Sequence, residues 1–204
     1  WANYRIADVC PPEALRDNRA QVGDFINMRR REMLGKEPNA GHRAIAGLEE
    51  CFDVEVITQN VDNLHERAGS SRVTHLHGEL TKLRSSRDPE LIVPIDGWEQ
   101  RLEATAPDGA RLRPHIAFFG EAVPMCERAA EIAGTADLMV VVGTSLAVYP
   151  AASLVRYVRP DVPIFLVDPG NPDTAMIRNP LTHIRSRAAE GMPELAERLK
   201  SEFS

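Results

Sequence analysis

Cysteine is scarce in this 204-residue chain: Cys10, Cys51 and Cys126 stand far apart, with no Cys-x-x-Cys spacing anywhere. A scattered, odd set of three builds neither a disulfide framework nor a zinc ribbon. It points to a reducing, cytoplasmic setting. Long hydrophobic runs are also missing. The longest, Leu138 to Val142, falls far short of the roughly 20 apolar residues that span a bilayer, so no membrane segment is expected. Basic charge is short too, with 24 Lys and Arg against 30 Asp and Glu and a net charge of −6. Binding to nucleic acid draws its affinity from clustered Lys and Arg, so nucleic acid is not an expected partner; a small molecule or a basic peptide fits better. There is no internal repeat, no low-complexity tract and no basic-then-apolar leader. The chain opens on Trp1 without an initiator Met, which suggests that native residues precede it.

What is present is an ordinary globular balance of 43% apolar and 26% charged residues, which excludes fibrous, collagen-like and disordered classes. The length suits one large domain with room for a small insertion. After Pro11-Pro12, the stretch Glu13 to Leu34 places Leu15, Val22, Phe25, Ile26 and Met28 along one side of one or two helices. Asn39 reads as the N-cap of a further helix that buries Ala44, Ile45, Leu48 and Phe52. Strand character follows at Val54–Thr58, Val73–Leu76, Asp137–Val142 and Val162–Val167. Helical segments are expected at Met125–Ile132, stopped by Gly134, at Ala151–Val158 and at Pro193–Phe203. Strands alternating with helices predict an α/β fold, a parallel sheet covered on both faces. The exception is Thr81 to Arg111, mixed in charge and interrupted by Pro and Gly, which reads as an inserted small module or long loop.

In an open parallel sheet, ligands bind beyond the carboxyl ends of the strands. Polar clusters stand at those places: Gln59-Asn60-Val61-Asp62, His75-Leu76-His77-Gly78 and Gly143-Thr144-Ser145, with Asp168 as a fourth. Gly143-Thr144-Ser145 is a tight turn whose backbone N–H groups and hydroxyls can approach a phosphate or ribose. Asn60 and Asp62 can satisfy both the donor and the acceptor of a small carboxamide. An imidazole at His77 can take a proton from a sugar hydroxyl near neutral pH. Taken singly, His75 and His77 are equally readable as structural histidines beside a strand end.

Read together, Thr58 to Gly69 (Thr-Gln-Asn-Val-Asp-Asn-Leu-His-Glu-Arg-Ala-Gly) followed by His75-Leu76-His77-Gly78-Glu79-Leu80 resembles the sirtuin family of NAD-dependent protein deacylases. The resemblance continues through Leu112-Arg113-Pro114-His115 to Phe118-Phe119-Gly120-Glu121, through Val142 to Ala152, and through Ala188-Ala189-Glu190-Gly191-Met192-Pro193. It implies a Rossmann-like NAD-binding domain, residues 1–80 and 112–204, with residues 81–111 as the small module and an acyl-lysine peptide as substrate. By resemblance, Asn60 and Asp62 hold the nicotinamide end, Gln59 the nicotinamide ribose, and His77 is the general base, with Asn60 beside it in catalysis. Gly143, Thr144 and Ser145 contact phosphate and ribose, Asp168 stands where the family usually has an Asn near the adenosine, and Ala188 lies beside the adenine. Phe118-Phe119-Gly120-Glu121 looks like the substrate strand, which pairs with the extended peptide through backbone hydrogen bonds. The implied reaction is loss of nicotinamide, attack of the acyl oxygen on the anomeric carbon, activation of a ribose hydroxyl by His77, and transfer of the acyl group to ADP-ribose.

Three departures from the family pattern stand out. The opening strand and Gly-Ala-Gly-x-Ser loop ahead of the Trp that Trp1 matches are not among these residues, and a sheet without that strand lacks a central member. The interval from Thr81 to Arg111 holds no Cys or His, so no metal is expected; packing around Leu91, Ile92, Val93, Ile95, Trp98 and Leu102 must hold it instead. Finally, Arg29 matches an Arg that grips acidic acyl groups in desuccinylase-type members, while Ile26 replaces their Tyr. Arg29 and Arg30 read equally well as part of a solvated run, Arg29-Arg30-Arg31-Glu32. Acetyl-lysine, succinyl-lysine and malonyl-lysine all stay open, as do NAD hydrolysis or ADP-ribosyl transfer and a non-catalytic nucleotide-binding module.

Overall fold

A computed structural model describes residues 5–203; Trp1 lies outside them. In chain order the elements are α1 (Ile6–Val9), α2 (Ala14–Asp17), α3 (Arg19–Leu34), α4 (Ala40–Gly47), a 3-10 turn (Leu48–Glu50), β1 (Val56–Thr58), α5 (Leu64–Ala68), β2 (Val73–His75), β3 (Gly78–Ser85), β4 (Ile92–Pro94), β5 (Leu112–Ile116), α6 (Met125–Thr135), β6 (Met139–Val142), a 3-10 helix (Ala151–Arg156), β7 (Ile164–Val167), β8 (Leu181–Ile184) and α7 (Ala188–Phe203). They fall into two compact units, one of residues 5–36, Asn60–Asn63 and His77–Val123, the other of Glu37–Gln59, Leu64–Leu76 and residues 124–203. No helix among the described residues is long and apolar enough to cross a membrane.

The first unit is built on an antiparallel ladder in the order β4-β3-β5. Segment 81–111, expected as a separate irregular module, is held by this ladder: β3 begins at Gly78 and β5 ends at Ile116, so the strands run past both expected boundaries. Their long-range pairing leaves no short periodic signal in the sequence. Leu83, Ala106 and Leu112 are buried there, with Leu91, Val93, Ile95 and Ala104 packed against them. Ile92, Trp98 and Leu102 are exposed, contrary to expectation; in β4 the alternation of a strand turns Val93 inward and Ile92 outward. A second core joins Val22, Phe25, Ile26 and Met33 of α3 to Val9, Ala14, Leu80 and Phe118.

Arg30 corrects the reading of a solvated Arg run. It is fully buried on α3, and its spacing from Val22, Ile26 and Met33 puts it on the apolar stripe. Its Nε donates to the Leu80 carbonyl at 2.6 Å, and its Nη1 to the Trp98 carbonyl and the Asn27 side chain at 2.9 Å each. These bonds tie α3 to β3 and to the loop after β4. No carboxylate is among these partners, and burial lowers the guanidinium pKa to about 10.

In the second unit, parallel pairing forms two ladders. β1 pairs with β2 (Thr58 opposite His75), while β6, β7 and β8 form the other; no ladder joins them among the described strands. All four residues of β7 are buried, the pattern of a central parallel strand. Asn39 caps α4 as expected: its Oδ1 accepts the His42 N–H at 3.2 Å, and His42 Nδ1 accepts the Asn39 N–H at 3.3 Å. The buried side of α4 meets Met192, Leu195, Ala196 and Leu199 of α7, with Ala44, Ile45, Leu48 and Phe52 all in that cluster. The approach is close enough that a Cβ on Gly41 would lie 2.7 Å from the Ala188 carbonyl. α7 starts at Ala188, ahead of the expected Pro193, which sits inside the helix and forgoes one hydrogen bond to an exposed turn. α6 runs through Gly134, and the segment expected as a helix at Ala151–Val158 is a 3-10 helix.

Candidate functional site

The second unit gathers several predicted residues at its strand ends. Val142 lies opposite Val167 in the parallel β6–β7 ladder, so Gly143 and Asp168 leave neighbouring strands at their carboxyl ends. The Gly143 N–H donates to the Val167 carbonyl at 2.9 Å, and the Asp168 N–H donates to the Ile184 carbonyl at 3.2 Å. Gly143 has φ 60°, and a Cβ there would meet nothing within 4 Å. The glycine therefore serves the left-handed turn and leaves open space above it. Thr144 Oγ1 accepts the Leu146 N–H at 3.2 Å, beside an exposed Ser145. Asp168 Oδ1 accepts the Gly170 N–H at 2.7 Å, which fixes the carboxylate over its own turn. Gln59 follows β1 and is half-buried, and Ala188 opens α7. An open turn carrying two hydroxyls, with a carboxylate on the next strand, fits the sugar and phosphate groups of a dinucleotide.

The first unit contains Asn60, Asp62 and His77. The Val61 carbonyl accepts the Leu80 N–H at 2.8 Å, and the His77 carbonyl accepts the Ala117 N–H at 2.9 Å. The 60–63 segment and the His77 turn are thus both pinned to the β3–β5 framework. Gly78 makes this possible: at φ 79° it lies so close to β5 that a Cβ would sit 2.1 Å from the His115 carbonyl. Asn60 is exposed, and Asp62 and His77 are half-buried. His75, by contrast, is buried, with Nε2 2.7 Å from Glu66 Oε1.

The expected substrate strand Phe118–Glu121 is a tight turn after β5. The Glu121 N–H donates to the Phe118 carbonyl at 3.0 Å, and Gly120 at φ 89° reverses the chain. Phe118 is buried in the core, whereas Phe119 is 66% exposed. The Glu121 side chain turns inward. Burial alone would raise its pKa, but hydrogen bonds from Arg113 and the Phe118 N–H, together with the charges of Arg113 and Arg84, hold it below the usual carboxylate range. Ile26, expected at the substrate, is buried in the same core as Phe118, at 4% exposure. Arg29 is half-exposed and paired with Glu32 at 2.7 Å. Arg30 and Arg113 hold the framework, a role that the sequence motifs alone do not assign to them; the helical spacing of Arg30 from Ile26 and Met33 is the signal that finds the first.

The sequence profile of the Sir2 family matches residues 1–150. The chain belongs to the Sir2 family. A protein named NAD-dependent protein deacylase from Aggregatibacter actinomycetemcomitans is 52% identical over 182 residues, covering 89% of this chain and 86% of the relative. One of the same name from Bacteroides thetaiotaomicron is 46% identical over 205 residues, covering 98% of this chain and 87% of the relative. Among solved structures, a Sir2 homologue in complex with NAD superposes with a TM-score of 0.86 at 31% identity, covering all of this chain and 81% of that one. A Sir2 bound to acetylated peptide gives 0.78 at 29% identity, covering 96% and 83%. These likenesses agree with the parallel α/β architecture of the Sir2 chain described above.

Proposed function

We propose that this Sir2 chain is an NAD-dependent protein-lysine deacylase that releases nicotinamide and transfers the acyl group to ADP-ribose. The observation that carries the reading is the pinning of His77, Asn60 and Asp62 on one framework with the Phe118–Glu121 turn. NAD, when bound, supplies an anomeric carbon with nicotinamide as its leaving group. Asn60 and Asp62 hold the carboxamide, Gln59 the adjoining ribose, and Gly143, Thr144 and Ser145 the phosphate and second ribose, with Asp168 and Ala188 at the adenosine end. His77 accepts a proton from a ribose hydroxyl as the general base. A base in this place has no use in a protein that only binds nucleotide, and the exposed turn at Phe119-Gly120 has no use in a plain NAD hydrolase.

The substrate class is an acyl-lysine peptide, and acetyl-lysine fits the acyl position best: Ile26 lies in the core and Arg29 already faces Glu32. Zinc is not required, because the 81–111 segment holds no Cys or His and has its own apolar core. The three scattered cysteines suit a cytoplasmic location.

The test is mass spectrometry of the products formed from NAD with matched acetyl-lysine and succinyl-lysine peptides. Wild-type protein is expected to form acyl-ADP-ribose, faster from the acetyl peptide, and His77→Ala to lower kcat by about 100-fold or more while keeping NAD affinity. Undiminished turnover by His77→Ala overturns the base assignment. ADP-ribose formed without any acylated product points instead to NAD hydrolysis.

A further inference from the structure

We infer that Arg113 and Glu121 form a positioning pair for the acyl-lysine peptide, setting the turn on which the peptide backbone docks. The inference rests on the deacylase reading and adds residues that act through backbone geometry. Arg113 donates through both terminal nitrogens to Glu121, at 2.7 Å to Oε1 and 2.9 Å to Oε2. The same Oε2 accepts the Phe118 N–H at 2.9 Å, and Arg84 approaches it at 3.4 Å. The Arg113 guanidinium also stands 5.0 Å from the centre of the Phe118 ring. One carboxylate thus joins β3 through Arg84, β5 through Arg113 and the start of the turn through Phe118. A bidentate Arg–carboxylate fork fixes orientation as well as distance.

The consequence lies in which backbone groups remain. The Ala117 N–H is taken by the His77 carbonyl, the Phe118 N–H by Glu121, the Phe119 N–H by the Cys10 carbonyl at 3.1 Å, and the Phe118 carbonyl by the Glu121 N–H. Among the described residues, no hydrogen bond uses the Gly120 N–H or carbonyl, and a Cβ on Gly120 would meet nothing within 4 Å. An extended peptide needs such a donor and acceptor on an open edge. The fork spends the neighbouring groups internally and holds the Gly120 pair outward. Without the Glu121 carboxylate, the Phe118 N–H loses its acceptor, and two half-buried guanidiniums lose their shared anion. The turn is then free to rearrange.

A merely structural pair and a positioning pair differ in what they move. In full-length protein, Glu121→Gln is expected to raise the KM for an acetyl-lysine peptide tenfold or more. The KM for NAD should stay within twofold, and kcat at saturating peptide within about threefold. Glu121→Asp, which keeps the charge, should recover part of the peptide KM, and Arg113→Lys should resemble Glu121→Gln because an ammonium cannot make the fork. Amide exchange at Phe118 should rise in each variant by the same order as the KM. An unchanged peptide KM in soluble Glu121→Gln overturns the inference, as does an equal loss of NAD and peptide affinity. Should Glu121→Gln not fold, Glu121→Asp and Arg113→Lys decide on the same criteria. Anisotropy of a labelled acetyl-lysine peptide separates the two levels. Wild-type protein that binds the peptide without turnover overturns the deacylase reading alone, and wild-type protein that binds no peptide overturns both.

Discussion

Arg30→Met should destabilise the protein by about 3 kcal/mol, and the size of the loss follows from the partners of the guanidinium. Three hydrogen bonds leave with it, to the Leu80 carbonyl, the Trp98 carbonyl and the Asn27 side chain. Bonds from a charged donor are worth about 1.5–3 kcal/mol each, and a buried carbonyl left without a donor costs about 1–3 kcal/mol. Against this, methionine removes a buried cation that has no carboxylate among its bonded partners, and it fills much of the same apolar space. The balance is a few kcal/mol of loss. In a chain of this size that corresponds to a fall in Tm of about 6–12 °C, at about 2–4 °C per kcal/mol. Urea unfolding followed by far-ultraviolet circular dichroism measures it directly. Arg30→Lys should fall between the two, since one ammonium cannot span three acceptors. A loss for Arg30→Met below about 0.5 kcal/mol would refute the reasoning, because it would mean that the carbonyls of Leu80 and Trp98 find water as readily as they find the guanidinium.

Ser85→Ala should lower stability by about 1–2 kcal/mol, because the buried Ser85 hydroxyl donates to Asp108 at 2.7 Å and accepts the Arg87 and Asp88 N–H groups. The companion measurement is metal analysis: a chelator should leave Tm unchanged, and stoichiometric zinc in the purified protein would contradict the packed segment as the sole support of this loop. Gly78→Ala should destabilise by more than about 2 kcal/mol and depress kcat with it, since its Cβ would stand 2.1 Å from the His115 carbonyl and must displace the His77 turn; wild-type kcat in that variant would show that the turn does not set His77. His115 has a lowered pKa, from burial first and then from the charge of Arg84. The unfolded chain therefore takes up the proton first as pH falls, so the stability due to neutral His115 is complete above about pH 6.5 and is lost as pH drops toward the depressed folded value. His115→Gln should flatten the urea midpoint against pH in that window, and an unaltered profile would assign the acid sensitivity elsewhere.

What could be read from the sequence divides along physical lines. β6 and β7 were legible because buried parallel strands are continuous apolar runs, and α4 because Asn39 announces its own cap. The polar clusters at Asn60, His77 and Gly143 were legible for a related reason: a strand end is a local event, and the chain changes composition there. β8 was missed because Leu181 and Thr182 are exposed and leave no buried period. The β3–β5 ladder was missed because its register joins Arg84 to Arg113 across a long intervening segment, and no window of sequence contains both. The Phe118–Glu121 segment is the instructive case. Its motif could be recognised as a docking element, yet its shape depends on the Arg113 guanidinium of β5, joined by Arg84 of the neighbouring strand β3, which takes the Glu121 carboxylate out of solvent. A residue that looks like a ligand contact in the sequence is, in the fold, the acceptor of the Phe118 N–H. The chemistry of such a site is written in short motifs, while its geometry is written in the long-range pairs that hold those motifs still.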